Sequence, residues 1–275
     1  MTDTNLYIQR LLESNPLREP VLRSVIQALQ LPTGSHGLDA GCGIGLQALL
    51  LAEAVGLYGH VTGVDIAPEL LAYGEEVAWK AGFSNQITFR QEDVSTLPFD
   101  ENTFDWVWST DCVGYPAGEL MPLVKELVKL AKPGGSVNIL AWSSQQLLPG
   151  FPLLEARLNA TCSGYIPFLK EKGAELHFMR ALRRFRKAGL EEIKAQTFAG
   201  DIQTPLSSGE RAALISLFER LWGPPQPDVS PEDWEEYQRL CEPGSADSSW
   251  IFLITMASLP IRFSRERFPR KRNRS

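Results

Sequence analysis

The chain has 275 residues, of which 44 % are hydrophobic and 22 % charged, and its formal net charge is −6. That length exceeds one typical domain yet accommodates a single large α/β unit with an insertion, and the apolar share excludes a disordered chain. The longest apolar run, Trp250 to Ala257, is broken by Thr255 and falls far short of the roughly 20 residues of a membrane span, so a soluble globular protein without a membrane span is expected.

Met1-Thr-Asp-Thr-Asn5 has no basic stretch leading into an apolar core, so no secretory signal is read there. Cys42, Cys112, Cys162 and Cys241 lie far apart, in neither CxxC nor Cys/His metal spacing, which makes a reducing cytoplasm the expected location and a metal site unexpected. Charge is unevenly spread. Residues 262–275 carry seven basic side chains against Glu266 alone, leaving 20 basic and 32 acidic residues elsewhere. A body that acidic binds phosphate poorly, which argues against nucleic acid as a partner. The basic stretch suits nucleic acid or anionic lipid, or is simply a solvated, disordered end.

In chain order, residues 19–30 show apolar positions at i, i+4 spacing after Pro20, which suits the first turn of a helix. Strands are expected near 36–40, 60–65, 87–91, 104–109 and 136–142, with helices over 46–55, 68–81 and 119–131 between them. Such alternation signals a parallel sheet with crossover helices. Lys132-Pro-Gly-Gly135 makes a tight turn into the fifth strand. Residues 143–173 read as a loop with one or two short helices. A helix near 181–188 and a strand at 191–198 resume the pattern, followed by helices at 209–221 and 231–241 and a last strand at 249–258.

Three places carry chemistry. Asp39-Ala-Gly-Cys-Gly-Ile-Gly45 is a strand running into a glycine turn and then a helix, where a ligand can approach the backbone and the helix N–H groups favour a carboxylate or phosphate. Asp65, 20 residues beyond Gly45, ends the second strand, where ligands of doubly wound sheets bind. It is either a solvated strand-end acid or an acceptor for ribose hydroxyls, and the glycine turn at this spacing favours ribose. Asp93, after the third strand, is a turn acid or an acceptor for an adenine amino group, with Ile66 and Val94 available to the ring faces.

Together these residues, with Phe104-Asp-Trp-Val-Trp-Ser109 and Lys132-Pro-Gly-Gly135, resemble the class I S-adenosylmethionine-dependent methyltransferases. The resemblance runs from about Pro20 to Trp142, and within the family it is to the small-molecule enzymes of the ubiquinone and menaquinone type. It implies an α/β, Rossmann-like, doubly wound and mostly parallel seven-stranded sheet, with an antiparallel last strand and cap insertions. It implies a helical lid over 1–34, a cofactor-binding core over 35–142, a cap insertion at 143–180, a continuation of the core over 181–261 with a helical insertion at 203–248, and a basic tail at 262–275. By position it places Gly41, Cys42, Gly43 and Gly45 along the methionine end of S-adenosylmethionine, with Asp39 near the ammonium. Asp65 goes to the ribose, Ile66 and Val94 to the adenine faces, Asp93 to the adenine amino group, and Ser109 and Thr110 near the methyl donor. Tyr7 is a lid candidate, with helix packing as its alternative.

Methyl transfer is an in-line displacement in which the cofactor brings the reactivity, so the protein aligns the acceptor and excludes water. Asp111, Tyr115 and His177 are the candidate bases, although Asp111 could cap a turn and a lone His is often structural. The acceptor is expected to be a small organic molecule methylated on O, C or N. Phe151, Tyr165, Phe168, Phe178, Trp222, Trp234 and Tyr237 would either line a cap over a hydrophobic or aromatic substrate or hold the insertions to the core. Arsenite chemistry is disfavoured, because only Cys112 stands beside the expected acceptor position. An NAD-dependent oxidoreductase is disfavoured because Leu46 stands at the last glycine of G-x-G-x-x-G. A non-catalytic cofactor-binding subunit and a nucleic-acid methyltransferase complete the alternatives.

Overall fold

A computed structural model of the chain describes residues 3–112, 120–148, 150–160, 193–202, 206–223, 229–241 and 252–261. In chain order its elements are α1 (Asp3–Leu29), β1 (His36–Ala40), α2 (Leu46–Val55), β2 (His60–Asp65), α3 (Pro68–Lys80), β3 (Ile87–Gln91) and β4 (Phe104–Thr110). They continue with α4 (Leu120–Leu130), β5 (Ala131–Gln146), α5 (Pro152–Ala160), β6 (Gln196–Ile202), α6 (Ser208–Trp222), α7 (Pro231–Cys241) and β7 (Phe252–Ile261).

The strands form a sheet of order β3-β2-β1-β4-β5-β7-β6, and β1·β2, β1·β4, β2·β3 and β4·β5 are parallel. The chain runs outward from β1 to β3 and then returns to the other side of β1. The switch point therefore lies between β1 and β4, where the loops at the strands' carboxyl ends part and leave a crevice. Residues of both faces are buried in β1, β2 and β4, as expected for parallel strands covered by helices. Leu38, Ala40, Val64, Val107 and Val137 pack with Leu123, Val124 and Leu127 of α4.

Helix α2 begins and ends at the residues expected from its apolar spacing. Gly45 precedes it in the left-handed conformation and Gly56 follows it. At the amino edge of the sheet, Asp105 accepts the His36 N–H at 2.8 Å and Lys132 Nζ at 2.7 Å, tying β4 to β1 and β5. The Lys132-Pro-Gly-Gly135 turn is a bulge inside β5: Phe104 pairs with Ala131, and the next register pair is Trp106 with Ser136. A Cβ on Gly135 would come within 2.6 Å of the Asp105 carbonyl, so this backbone lies tight against β4.

Several expectations need correction. The first helix begins at Asp3, not near residue 19, and Pro16 and Pro20 lie inside it. Proline costs a helix interior a hydrogen bond and a clash worth about 3 kcal/mol. Burial of Leu17, Val21, Leu22, Val25 and Ile26 outweighs that cost, and Asn15 Nδ2 and Arg23 Nε both donate to Glu19, one bond spanning Pro16 and the other Pro20. The fifth strand runs to Gln146, beyond the expected end at 142, and Glu155 of α5 then accepts the Leu147 and Leu148 N–H groups at 2.7 and 2.9 Å. Strand β6 begins at Gln196, later than the sequence pattern suggests, and β7 runs to Ile261, past the expected end at 258, while residues 249–251 lie outside the described residues. The helix expected at 181–188 lies outside the described residues.

The chain divides into two compact units, one of residues 25–141, 178–197 and 257–275, the other of 1–24, 142–177 and 198–256. Within the second, α6 starts in a reciprocal cap: Ser207 Oγ accepts the Glu210 N–H, and the Glu210 carboxylate accepts the Ser207 N–H. Phe218, Trp222 and Tyr237 are buried against one another, and Trp234 packs on Tyr237. These aromatics form the local core of α6 and α7. Tyr165 and Phe168, like Phe178 of the first unit's range, lie outside the described residues.

A Cβ on Gly37 would fall inside the Trp106 indole, whose Nε1 is held by Ser35 Oγ at 2.9 Å. Gly37→Ala should cost roughly 1–3 kcal/mol through overpacking. Gly82→Ala, in open space at φ +80°, should cost only about 1 kcal/mol of backbone strain. Urea titration of both variants checks this, and equal losses would show that the Trp106 ring can step aside.

Candidate active site at the carboxyl ends of β1, β2 and β4

After β1 the chain turns sharply over the end of β2. The N–H groups of Gly41 and Cys42 both donate to the Val64 carbonyl at 2.9 Å. Gly41, Gly43 and Gly45 have φ of +81°, +54° and +75°, so every second residue of this turn needs a conformation that other residues reach only under strain. Close approach adds a second constraint. A Cβ on Gly45 would come within 2.7 Å of the Phe89 ring, which also crowds Gly74 of α3 and Gly63 of β2.

Asp65 fixes the turn electrostatically. Its Oδ2 accepts the Gly43 N–H at 2.9 Å and its Oδ1 the Ala67 N–H at 3.1 Å. Ile66 follows with 66 % of its surface exposed, its carbonyl accepting Gln91 Nε2. Asp93 closes a turn after β3 by accepting the Ser95 N–H at 2.8 Å, and hydrogen bonds from Ser95 hold its carboxyl below the usual carboxylate range. Val94 turns inward and joins the core cluster.

Asp39 is the unusual group. It is 1 % exposed, and its Oδ2 has no hydrogen-bond partner. Burial, followed by the nearby charge of Asp65, pushes its carboxyl from 3.8 up to about 8. Register puts Trp108 beside Asp39, and neighbours in register share a face of the sheet. Alternation then places Thr110 on that face too, where its buried Oγ1 likewise lacks a partner. Ser109 points to the other face and donates to the Ala40 carbonyl at 2.8 Å. Asp111 follows at φ +50°, its N–H bound to the Leu140 carbonyl.

Cys112, expected beside the acceptor position but given no role there by the sequence, lies directly against the glycine turn. Its side chain covers Gly41, so closely that a Cβ there would collide with its Sγ. Burial, then the charges of Asp65, Asp39, Asp111 and Asp93, push its thiol up to about 12. The Cys42 thiol packs over Gly63 and is also pushed up, by burial first and then by Asp39 and Asp65. Cys42 therefore offers its backbone to the site. Nothing in the sequence pattern marks the Cys112–Gly41 contact, because the two are distant along the chain. Of the other candidates, Tyr7 is half exposed on α1, in the unit that does not hold the glycine turn. Tyr115 and His177 lie outside the described residues.

A profile described as "Methyltransferase domain" matches residues 38–135, the stretch that contains the glycine turn, the acids and β4. The demethylmenaquinone methyltransferase of Anoxybacillus flavithermus is 35 % identical over 191 residues, spanning 64 % of this chain and 78 % of the relative. The Bacillus subtilis enzyme of the same name is 28 % identical over 195 residues, spanning 64 % and 80 %. The chain belongs to the class I S-adenosylmethionine-dependent methyltransferases. Solved structures share the fold of this methyltransferase. A SAM-dependent methyltransferase from Aquifex aeolicus matches with a TM-score of 0.51 and 21 % identity, over 71 % of this chain and 91 % of its own. The YcgJ protein of Bacillus subtilis matches with 0.52 and 16 %, over 89 % and 99 %.

The residues present fit the cofactor of this family. S-adenosylmethionine carries an ammonium and a sulfonium, and the crevice holds a buried carboxylate with an unfilled oxygen among further acids. An uncompensated buried carboxylate is costly, and a bound cation is the partner that relieves it. Oxidoreductase chemistry, set aside above on the glycine spacing, gives this acid no such partner.

The Asp39 shift has a consequence for stability. A carboxyl that holds its proton more tightly folded than unfolded contributes fully below its unfolded value of 3.8, and that contribution is lost as pH rises towards about 8. Asp39→Asn, similar in shape but uncharged, should fall less in stability than the parent between about pH 5 and 8. Thermal unfolding of both proteins across that range checks this; parallel curves would remove the buried acid from the account.

Proposed function

We propose that this methyltransferase acts on a ring carbon of a hydrophobic quinol-type acceptor, as the names of its demethylmenaquinone methyltransferase relatives suggest. The observation that carries the reading is the 35 % identity over 191 residues to one such enzyme. The site is compatible with it. A thiol pushed up to about 12 makes Cys112 a poor nucleophile or soft-metal ligand, which leaves carboxylates as its proton acceptors. No helix among the described residues is long and apolar enough to cross a membrane. In this reading the enzyme works in the cytoplasm and meets a lipid-soluble acceptor from the aqueous side.

In this reading Asp65 accepts the ribose hydroxyls, Asp93 the adenine amino group, and Asp39 the ammonium. Ile66 covers one adenine face, and the backbone of Gly41 to Gly43 runs along the methionine end, where Thr110 offers its hydroxyl. When bound, S-adenosylmethionine supplies an electrophilic methyl group on a sulfonium. The chain's own work is to hold the acceptor carbon in line with that methyl and to keep water out. A hydroxyl of the acceptor gives its proton to Asp111, which raises electron density on the ring carbon. The ring carbon made electron-rich in this way would take up the methyl that the bound cofactor supplies, and would then lose its own proton to restore the aromatic ring.

Asp65→Ala should weaken S-adenosylhomocysteine binding by about 1.5–3 kcal/mol, the worth of hydrogen bonds to a charged group. Calorimetry measures it, and an unchanged dissociation constant would refute the ribose assignment. The acceptor is tested with methyl-labelled S-adenosylmethionine and three acceptors: chemically reduced demethylmenaquinone, a catechol and a primary amine. Label should enter the quinol ring, and Asp111→Asn should lower that rate by about a hundredfold at unchanged cofactor affinity. Label entering the catechol oxygen or the amine while the quinol stays unlabelled would overturn the proposal.

A further inference from the structure

Strands β1 and β2 each begin with a histidine, and register places His36 directly beside His60. Their rings meet edge to face, with centroids 5.2 Å apart. His36 Nε2 shares a 3.0 Å hydrogen bond with Thr62 Oγ1, and His60 Nε2 shares one of the same length with Thr88 Oγ1. Thr62 and Thr88 are themselves register partners, so each histidine reaches across to the next strand outward. Alternation puts all four side chains on one face of the sheet. The pattern ties β1 to β2 and β2 to β3 at the edge opposite the glycine turn.

Both rings suit this place only while they are neutral. His36 also meets the Phe104 ring edge-on at 4.9 Å, so two of its neighbours are rings. The charged groups that face it are His60 on β2, Asp105 on β4 and Lys132 on β5. Asp105 favours a charged His36, but its carboxylate already takes Lys132 Nζ at 2.7 Å and the His36 N–H at 2.8 Å. Lys132 itself opposes the charge. Burial first, then His60, therefore hold the His36 ring below its ordinary 6.5. Among the described residues His60 faces His36 on one side and uncharged Thr88 on the other, and burial lowers it as well.

We propose that His36 and His60 form a proton-sensitive clasp: neutral, they fasten the amino ends of β1, β2 and β3, and in mild acid two cations set side by side loosen them. The clasp is independent of any ligand placement. Its sign is definite. A histidine held below its unfolded value of 6.5 contributes fully above that value, and the contribution is lost as pH falls through its folded value. Asp39, near the other end of β1, acts in the opposite sense, because its contribution is lost as pH rises towards about 8. Strand β1 is therefore free of charge only in the interval between the two. Acid charges its amino end and alkali its carboxyl end, and the clasped strands are the ones that run into the glycine turn and Asp65.

The imidazole resonances of the full chain, followed by NMR between about pH 8 and 5, test the pair, each assigned by its loss in His36→Gln or His60→Gln. In the parent both should titrate below 6.5, His36 after His60. In His60→Gln the His36 midpoint should move back up, though not as far as 6.5, because burial remains. Glutamine is uncharged and keeps an amide for the Thr88 hydroxyl, so this variant should fold. Urea unfolding supplies a second readout: between about pH 7 and 5 His60→Gln should lose less stability than the parent, Asp39 being common to both. Should His60→Gln fail to fold, His36→Gln carries the urea comparison, and the titration of the parent needs neither variant. The proposal is overturned if His36 titrates at or above 6.5, if its midpoint is unmoved in His60→Gln, or if variant and parent lose stability in parallel.

Discussion

The Asp65 carboxylate joins two pieces of backbone that the fold must hold in place. One oxygen takes the Gly43 N–H and the other takes the Ala67 N–H at the start of α3. The Val64 carbonyl just before it takes two further N–H groups from the same glycine turn. Those N–H groups would otherwise be lost to the left-handed turn, which cannot form a regular ladder. The end of β2 is thus the template for the turn after β1, and the start of α2 follows from it. A parallel sheet makes this possible, because it brings the carboxyl ends of neighbouring strands to one edge.

The same edge concentrates negative charge. The charge of Asp65 opposes ionisation of buried Asp39, and Asp65, Asp39, Asp111 and Asp93 together oppose ionisation of Cys112. The thiols at this edge stay protonated, which keeps a crevice meant for an alkylating cofactor free of competing nucleophiles. The acids proposed to meet the cofactor are thereby also the reason the nearest soft nucleophiles stay protonated.

Much of this was legible in the sequence where local chemistry and tertiary packing agree. The limits of α2 follow from a glycine at each end, and β1 and β2 from short apolar runs. The acid at the end of β2 stands out because the glycine turn precedes it at a fixed interval. Pro20 misled because burial of a long apolar stripe outweighs the local break it makes. Ser109 and Thr110 look equivalent in the sequence. Only strand alternation and register show that the first hydroxyl is bound to Ala40 while the second is buried without a partner. The Trp108–Gln47 bond spans 61 positions and Cys112 lies 71 beyond Gly41, separations that no local pattern can connect. Likewise, the sequence leaves open whether the aromatics of α6 and α7 line a cap or hold the insertions, and only their mutual packing in three dimensions shows that they form a local core.

Phe89 touches three glycines from three different elements: Gly45 before α2, Gly63 in β2 and Gly74 inside α3. The ring therefore acts as a spacer that sets how near two helices and a strand can come. Of the three, Gly74 lies farthest from the glycine turn in sequence and has no side chain with which to bind anything. Its tolerance to change is nevertheless governed by the size of an aromatic residue on β3, so the geometry of the cofactor turn is inherited jointly by positions that share no motif.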